Sequence, residues 1–301
     1  MAGWRRATSR GIDTEVMMRT GTFRGFEVTL HDPGIAVILF SRPERLNGTT
    51  AHVKRDLVET LLQAQMNDAV RVVIFTGQGR AFCAGDDISG RPPEFQGASG
   101  LVPDISPGHT DAIGTYEGLR AISQPLNVAV RSLDKLTIAA VNGLAIQTGF
   151  SLALACDFRI ASSEARLGSA TLRFGLLPDE GGQFLLLQML GVAKTMDFLM
   201  RKRIVSAQAA LELGLVHEVV EHDALMTRAM DLGRELAEGP QVAMRLLKRS
   251  IYNAAELTFA QALDEIAAKT AISDHHPDAI EAMQAFKEKR PPRFNQALRR
   301  P

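Results

Sequence analysis

Residues 136–157 constrain the fold more than any other part of the chain. Leu136-Thr-Ile-Ala-Ala-Val141 is an apolar, partly β-branched run that reads as a buried strand. Asn142-Gly143 breaks it. From Gly149 onward, Phe150, Leu152, Ala153, Leu154 and Ala155 read as a helix apolar nearly all round, and so buried. Strand, tight turn and buried helix leave backbone N–H groups unpaired at a helix N-terminus. Such a place favours developing negative charge, through free donors and the helix macrodipole. An oxyanion is expected to form there.

The rest of the chain supplies the frame. Phe23 to Leu30 reads as a strand, His31-Asp-Pro-Gly34 as a turn, and Ile35 to Phe40 as a second strand of a hairpin. Thr49 or Thr50 is placed to cap a helix from Ala51 to Met66, with Val53, Leu57, Leu61, Leu62 and Met66 at helical spacing. Arg71 to Thr76 is another buried strand. Strand, helix, strand in this order predicts a parallel crossover unit. Residues 89–111 are crowded with Gly and Pro and lack periodicity, so a long functional or disordered loop is expected. A helix, interrupted near Pro125, follows from Tyr116 to Val130. Short strands are expected at Phe158–Ala161, Ala165–Gly168 and Val216–Val220, and helices at Phe184–Met200 and, capped by Ser206, at Ala207–Leu213. From His222 to Phe286 every segment is helical in pattern, broken at Gly239-Pro240 and His276-Pro277. The expected organisation is a basic, disordered tail over 1–20, an α/β core over 21–221 and a helical region over 222–301.

Charge narrows the partners. The 34 Lys and Arg balance 34 Asp and Glu, which gives no reason to expect nucleic acid or an anionic membrane. The two cysteines, Cys83 and Cys156, sit in apolar surroundings and read as reduced core thiols of a cytoplasmic protein. No apolar run is long enough to cross a bilayer. The N-terminus carries Arg5, Arg6 and Arg10 but no apolar block of a secretory signal.

Three tempting motifs fail on spacing. Gly77-Gln-Gly79-Arg-Ala-Phe82 follows a strand, but Phe82 stands where a dinucleotide fingerprint needs its third glycine. His217 and His222 are five apart across a strand end, whereas a helical zinc pair needs four, so no metal site is expected. Ser151 lacks the flanking glycines of a nucleophile elbow and reads as a helix-packing serine.

What survives is distributed. Gly79-Arg-Ala-Phe-Cys-Ala-Gly-Asp-Asp-Ile88 and Asn142-Gly-Leu-Ala-Ile-Gln-Thr-Gly149 are both turns of small residues after a strand. Each can present one backbone N–H. Two such donors on one oxygen stabilise an enolate or tetrahedral oxyanion by roughly 3–4 kcal/mol each.

These pieces, with Ser41-Arg-Pro-Glu-Arg-Leu-Asn47, Ala139-Ala-Val-Asn-Gly143, Leu154-Ala-Cys-Asp157 and Gly175-Leu-Leu-Pro-Asp-Glu-Gly-Gly182, resemble the crotonase superfamily, the enoyl-CoA hydratase/isomerase family, from Phe23 to Phe294. The resemblance implies an α/β spiral of ββα units, a C-terminal helical region that assembles a homotrimer or homohexamer, and an acyl-CoA substrate. Coenzyme A enters as part of that thioester, and no permanently bound cofactor is implied. It also implies that the backbone N–H groups of Asp86 and Thr148 hold the thioester oxygen. Arg45, Leu46, Ala84, Asp87 and Ile88 match positions along the CoA and pantetheine path.

The chain departs from the family at the two glutamates with which its hydratases activate water. Their positions fall at Ser151 and Thr171. Neither hydroxyl serves as a base near neutral pH as a carboxylate does. Asp179 remains, where several isomerases of the family carry an acid, although a turn or N-cap acid would look the same. Glu180 beside it reads as a surface acid of the first helical turn and is kept as a second candidate. The expected reaction is isomerisation of an unsaturated acyl-CoA with Asp179 as acid/base. A hydratase with a rearranged water, a CoA-ester hydrolase or decarboxylase, and a non-catalytic CoA-ester-binding protein remain as alternatives. The acyl group is not readable.

Overall fold

The computed structural model describes residues 18–89, 95, 98–105 and 108–296. Residues 1–17 of the expected basic tail lie outside them, and Met18 is buried. The chain opens with β1 (Gly21–Phe23), β2 (Phe26–His31) and β3 (Ile35–Phe40), antiparallel in sequence. The single strand expected from Phe23 to Leu30 is thus two strands. Gly25, at φ 77°, turns the chain between them in a conformation that favours glycine.

Helix α1 (Ala51–Met66) is capped by Thr50, whose hydroxyl accepts from the Val53 amide at 3.4 Å. Val53, Leu57 and Leu61 face the core, whereas Leu62 and Met66, expected on the same stripe, are exposed. The stripe is narrower because Lys54, Asp56 and Thr60 take buried positions instead. Then come β4 (Val72–Gly77) and the short β5 (Ala81–Cys83). Helix α2 (Ala112–Gly118) starts earlier than the Tyr116 expected, because Asp111 caps it by accepting from the Ile113 and Gly114 amides. A wide helical turn over Leu119–Ser123 leads into α3 (Gln124–Ser132).

The stretch that dominates the sequence forms β6 (Leu136–Val141), β7 (Leu144–Ile146) and α4 (Thr148–Ala155). Strand β7 is too short for an alternating pattern to reveal it. After β8 (Phe158–Ser162) and β9 (Arg166–Gly168) come α5 (Gly182–Met200), β10 (Ile204–Ser206), α6 (Ala207–Glu212) and β11 (Glu218–Val220). Ser206 caps α6 as expected. The chain then continues in α7 (Leu225–Glu238), α8 (Gln241–Ala254), α9 (Phe259–Asp274) and α10 (Pro277–Glu288).

Two sheets result. The larger runs β1-β2-β3-β4-β6-β8-β11, parallel from β3 onward. The smaller runs β10-β9-β7-β5 and is parallel except at β10. Strands β4, β6 and β8 of the first sheet are each followed by a short strand of the second, β5, β7 and β9, and then by helix, so the chain winds as a spiral of ββα turns. One face of the large sheet buries Ile35, Ile74, Ile138 and Ile160 against Leu225, Ala229 and Leu236 of α7. The other face buries Phe40, Phe75 and Val141 against α1 and α4, each large side chain contributing about 1.5–3 kcal/mol by leaving water. No helix among the described residues is long and apolar enough to cross a membrane. Both cysteines are free and buried, and desolvation pushes each thiol up to about 12.

One buried charge fastens α8 to this core. Asp157 Oδ2 accepts from the Thr137 amide at 2.7 Å, the Thr137 hydroxyl at 2.9 Å and Lys248 Nζ at 2.8 Å, while Oδ1 accepts from the Tyr252 hydroxyl. Lys248 is 5% exposed. Asp157→Ala leaves that ammonium without its counterion and is expected to destabilise the protein by about 3–5 kcal/mol. A fall in the guanidinium unfolding midpoint checks this; an unchanged midpoint contradicts it.

Candidate active site

Two neighbouring turns build the site. Strands β5 and β7 pair in parallel, Ala81 with Leu144 and Cys83 with Ala145, so the segments leaving them lie side by side. The two asparagines of the sequence motifs weave this region together. Asn142 Oδ1 accepts from the Gly77 amide at 3.0 Å, and its Nδ2 donates to Gly79 O at 2.8 Å. Asn47 Nδ2 donates to Ala81 O at 2.7 Å. Helix α4 then presses close on β5: a Cβ at Gly149 would stand 2.0 Å from Cys83 O. Only glycine permits that approach.

The loop after β5 is zipped to the segment before α1. Ala84 N donates to Leu46 O at 3.0 Å, Thr49 N to Gly85 O at 2.9 Å and Asp87 N to Thr49 O at 2.9 Å. Successive amides of extended backbone point to opposite sides. The Asp86 amide therefore faces away from Thr49, and it makes no hydrogen bond to any described residue. The Thr148 amide, in the first turn of α4, is likewise unpaired among the described residues. The residue before it, Gln147, sits at φ 49° and ψ −107°, a costly conformation for a side chain of this type. It is held there by its amide on Gly168 O at 3.1 Å and by Ser169 Oγ on its Oε1 at 3.1 Å. Asp86 and Thr148 meet directly: Thr148 Oγ1 donates to Asp86 Oδ1 at 3.1 Å.

The acid turn faces them. Asp179 and Glu180 precede α5, whose N-cap is Gly181 with no side-chain cap bond, so Asp179 does not cap this helix. The turn is anchored by α3: Gln124 Nε2 donates to Asp179 O at 3.0 Å and Asn127 Nδ2 to Glu180 O at 2.8 Å. Asp179 is half-buried, and desolvation raises its pKa, opposed by Lys54 and assisted by Asp86. Its neighbour corrects the sequence reading. Glu180, read as a surface acid, is 3% exposed. It is buried because Lys54, remote in sequence, supplies its counterion through a close Nζ–Oε1 contact. Desolvation is the larger influence and raises the Glu180 pKa despite that ammonium. Its Oε2 has no hydrogen-bond partner among the described residues.

Lys54 was not legible as a site residue. One signal was present: it stands between Val53 and Leu57 on the buried side of α1, where an unpaired lysine is costly. Ser123, Gln124 and Asn127 carried no signal at all, since they act through single hydrogen bonds.

The remaining candidates scatter around this centre. Ser151 is buried and packs under α5, where a Cβ at Gly182 would lie 2.3 Å from its Oγ. Thr171 is half-buried and shares a 3.2 Å hydrogen bond with Ser169 Oγ. Leu46, at φ 51°, and Ala84 are brought together by their backbone bond. Arg45 is half-buried and Ile88 is 76% exposed. Asp87 pairs with Arg42 at 2.9 Å; the Ser89 hydrogen bond and this guanidinium hold its carboxyl down to about 2. Part of the long loop is also fixed. Arg24 grips Asp56 at 2.7 and 2.9 Å, and Asp56 Oδ1 accepts from the Leu101 and Val102 amides. Residues 90–94, 96–97 and 106–107 of that loop lie outside the described residues. No cluster of metal-binding side chains occurs among the described residues.

The family model for enoyl-CoA hydratase/isomerase matches residues 31–297. The chain is 32% identical to 1,2-epoxyphenylacetyl-CoA isomerase of Escherichia coli, over 87% of this chain and 95% of that one. It is 31% identical to the mitochondrial methylglutaconyl-CoA hydratase of Rattus norvegicus, over 97% and 90% of the two chains. An enoyl-CoA hydratase from Bacillus anthracis superposes with a TM-score of 0.80 at 30% identity, covering 90% of this chain and 98% of that structure. Fold, motifs and these likenesses agree: the chain belongs to the enoyl-CoA hydratase/isomerase family, whose enzymes process acyl-CoA thioesters.

Proposed function

We propose that this enzyme isomerises an unsaturated acyl-CoA, moving a double bond or rearranging at the level of a ring, through an enolate held by the Asp86 and Thr148 amides. The observation that carries the reading is two free amides on touching residues, beside an acid turn that Lys54 ties to Asp86 through Glu180 and in which Asp179 makes no ion pair with any described residue. The positions of the two hydratase glutamates support it from the other side. Ser151 is packed beneath Gly182 and Thr171 is bonded to Ser169, so neither position offers a base.

The steps follow from the geometry. The thioester oxygen takes both amide hydrogens, which acidifies the adjoining carbon chain. Asp179, ionised, removes a proton α or γ to the carbonyl. The electron pair moves into the C–C–O system as an enolate, and the amides, fixed before reaction, hold its charge without reorganising. Asp179, now protonated, returns the proton at the other end of the allylic system. A carboxyl whose pKa is raised by desolvation suits both directions, because neither form is then strongly disfavoured. Arg45, Leu46, Ala84, Asp87 and Ile88 line the proposed path of the CoA moiety. The apolar surface of α9 and α10, with Phe259 and Phe286 each about four-fifths exposed, supports assembly as a homotrimer or homohexamer; sedimentation equilibrium is expected to give a mass of three or six chains, and a monomer contradicts it.

A 3-enoyl-CoA is expected to gain the absorbance of a conjugated thioester when the enzyme is added, whereas crotonyl-CoA is not expected to lose it. Asp179→Asn is expected to lower kcat for this conversion by about 10²–10⁴-fold while the affinity for the CoA ester stays near normal. Unchanged turnover removes Asp179 from the mechanism. The pH dependence follows from the direction of its shift. Asp179 must start ionised, and its pKa lies above the ordinary carboxylate value, so kcat/KM falls as pH drops through that raised value. An acid limb at or below the ordinary value, near 4, contradicts the assignment.

A further inference from the structure

Lys54 uses every donor it has. An ammonium carries three hydrogens. Nζ reaches Asp86 Oδ1 at 2.7 Å, Ser123 Oγ at 3.1 Å and Glu180 Oε1. Those acceptors lie on three separate elements: the loop after β5, the entry to α3 and the turn before α5. At 2% exposure Lys54 has no donor left for a substrate. Burial alone would discharge it, but the two carboxylates outweigh burial and its pKa is raised, so the ammonium stays charged. Asp86 is restrained further, since its Oδ1 also accepts from Thr49 Oγ1 at 2.9 Å and Thr148 Oγ1 at 3.1 Å.

An acid at position 86 is a liability on its own. Its amide is one of the two proposed to hold an enolate, and its carboxylate puts a like charge on the same residue. We propose that Lys54 is the positioning residue of this site: it fixes the Asp86 loop and the acid turn in one register and cancels the negative charge that Asp86 would otherwise set beside the enolate. The inference rests on the reading of Asp86 and Thr148 as an oxyanion hole. It names no contact between Lys54 and substrate.

A conjugated probe, hexa-2,4-dienoyl-CoA, tests this without any turnover. Polarisation of its carbonyl by the two amides moves its absorbance to longer wavelength. The wild-type enzyme is expected to give this shift and Lys54→Met to lose most of it. With a 3-enoyl-CoA, Lys54→Met is expected to lower kcat at least about 100-fold while KM stays within about threefold, since the Lys54 ammonium bonds to none of the residues proposed to line the CoA path. Because the single variant strands two acids, Lys54→Met/Glu180→Gln, which removes the buried pair as a unit, is the companion more tolerant of folding. It is also expected to lose the shift, because Asp86 remains uncompensated. Adding Asp86→Asn to that pair is expected to restore at least half of it. A full wild-type shift in Lys54→Met/Glu180→Gln overturns the inference and leaves the oxyanion hole standing. So does a triple variant that recovers nothing, which makes the role of Lys54 merely structural. A wild-type enzyme that binds the probe without any shift overturns both the hole and the inference.

Discussion

Two amide hydrogens left without partners are the constraint on which the site depends. Backbone donors at the surface of a packed core are almost always satisfied, so leaving two free on adjacent turns requires construction around them. The pairing of β5 with β7 sets the turns side by side. Gly149 lets α4 close on Cys83 O, and Gln147 accepts an unfavourable φ so that the helix begins at Thr148 and not earlier. The zipper between residues 46–49 and 84–87 uses the Ala84 and Asp87 amides and the Gly85 carbonyl, and leaves the Asp86 amide without a partner among the described residues. Motif residues such as Asn47 and Asn142 serve this scaffold by pinning the carbonyls of Gln78, between β4 and β5, and of Ala81, at the start of β5.

Electrostatics sets the second condition. Asp86, Asp179 and Glu180 lie around the place proposed to hold a further negative charge. A like charge close to an enolate opposes its formation, and solvent only partly screens the half-exposed Asp86 carboxylate. Lys54 answers two of the three acids directly. Asp179 is left with only distant influence from that ammonium and keeps a raised pKa. The division suits the proposal that Asp86 and Glu180 are structural and Asp179 moves the proton.

Much of this was legible in the chain, for physical reasons. Leu136–Val141 and Phe150–Ala155 announce themselves because continuous apolar runs have few places to go but a core. Ser206 and the glycine-rich turns follow from local backbone chemistry. The turns that carry Asp86 and Thr148 stand out because their small residues are contiguous in the chain, and the family resemblance singles out these two amides within them. Glu180 was misread because the choice between surface and interior was made by a lysine 126 positions away, and no local pattern encodes such a pairing. Lys54 was missed for the same reason. Strand β7 and the division of β1 from β2 escaped because three-residue strands carry too little alternation to stand out.

The most direct measurement is a crystal structure of the enzyme with an enoyl-CoA bound. The account requires the thioester oxygen about 2.7–3.1 Å from both the Asp86 and Thr148 amide nitrogens, with an Asp179 carboxylate oxygen beside the α or γ carbon. A carbonyl held elsewhere, or amides directed into separate regions once ligand is bound, contradicts it.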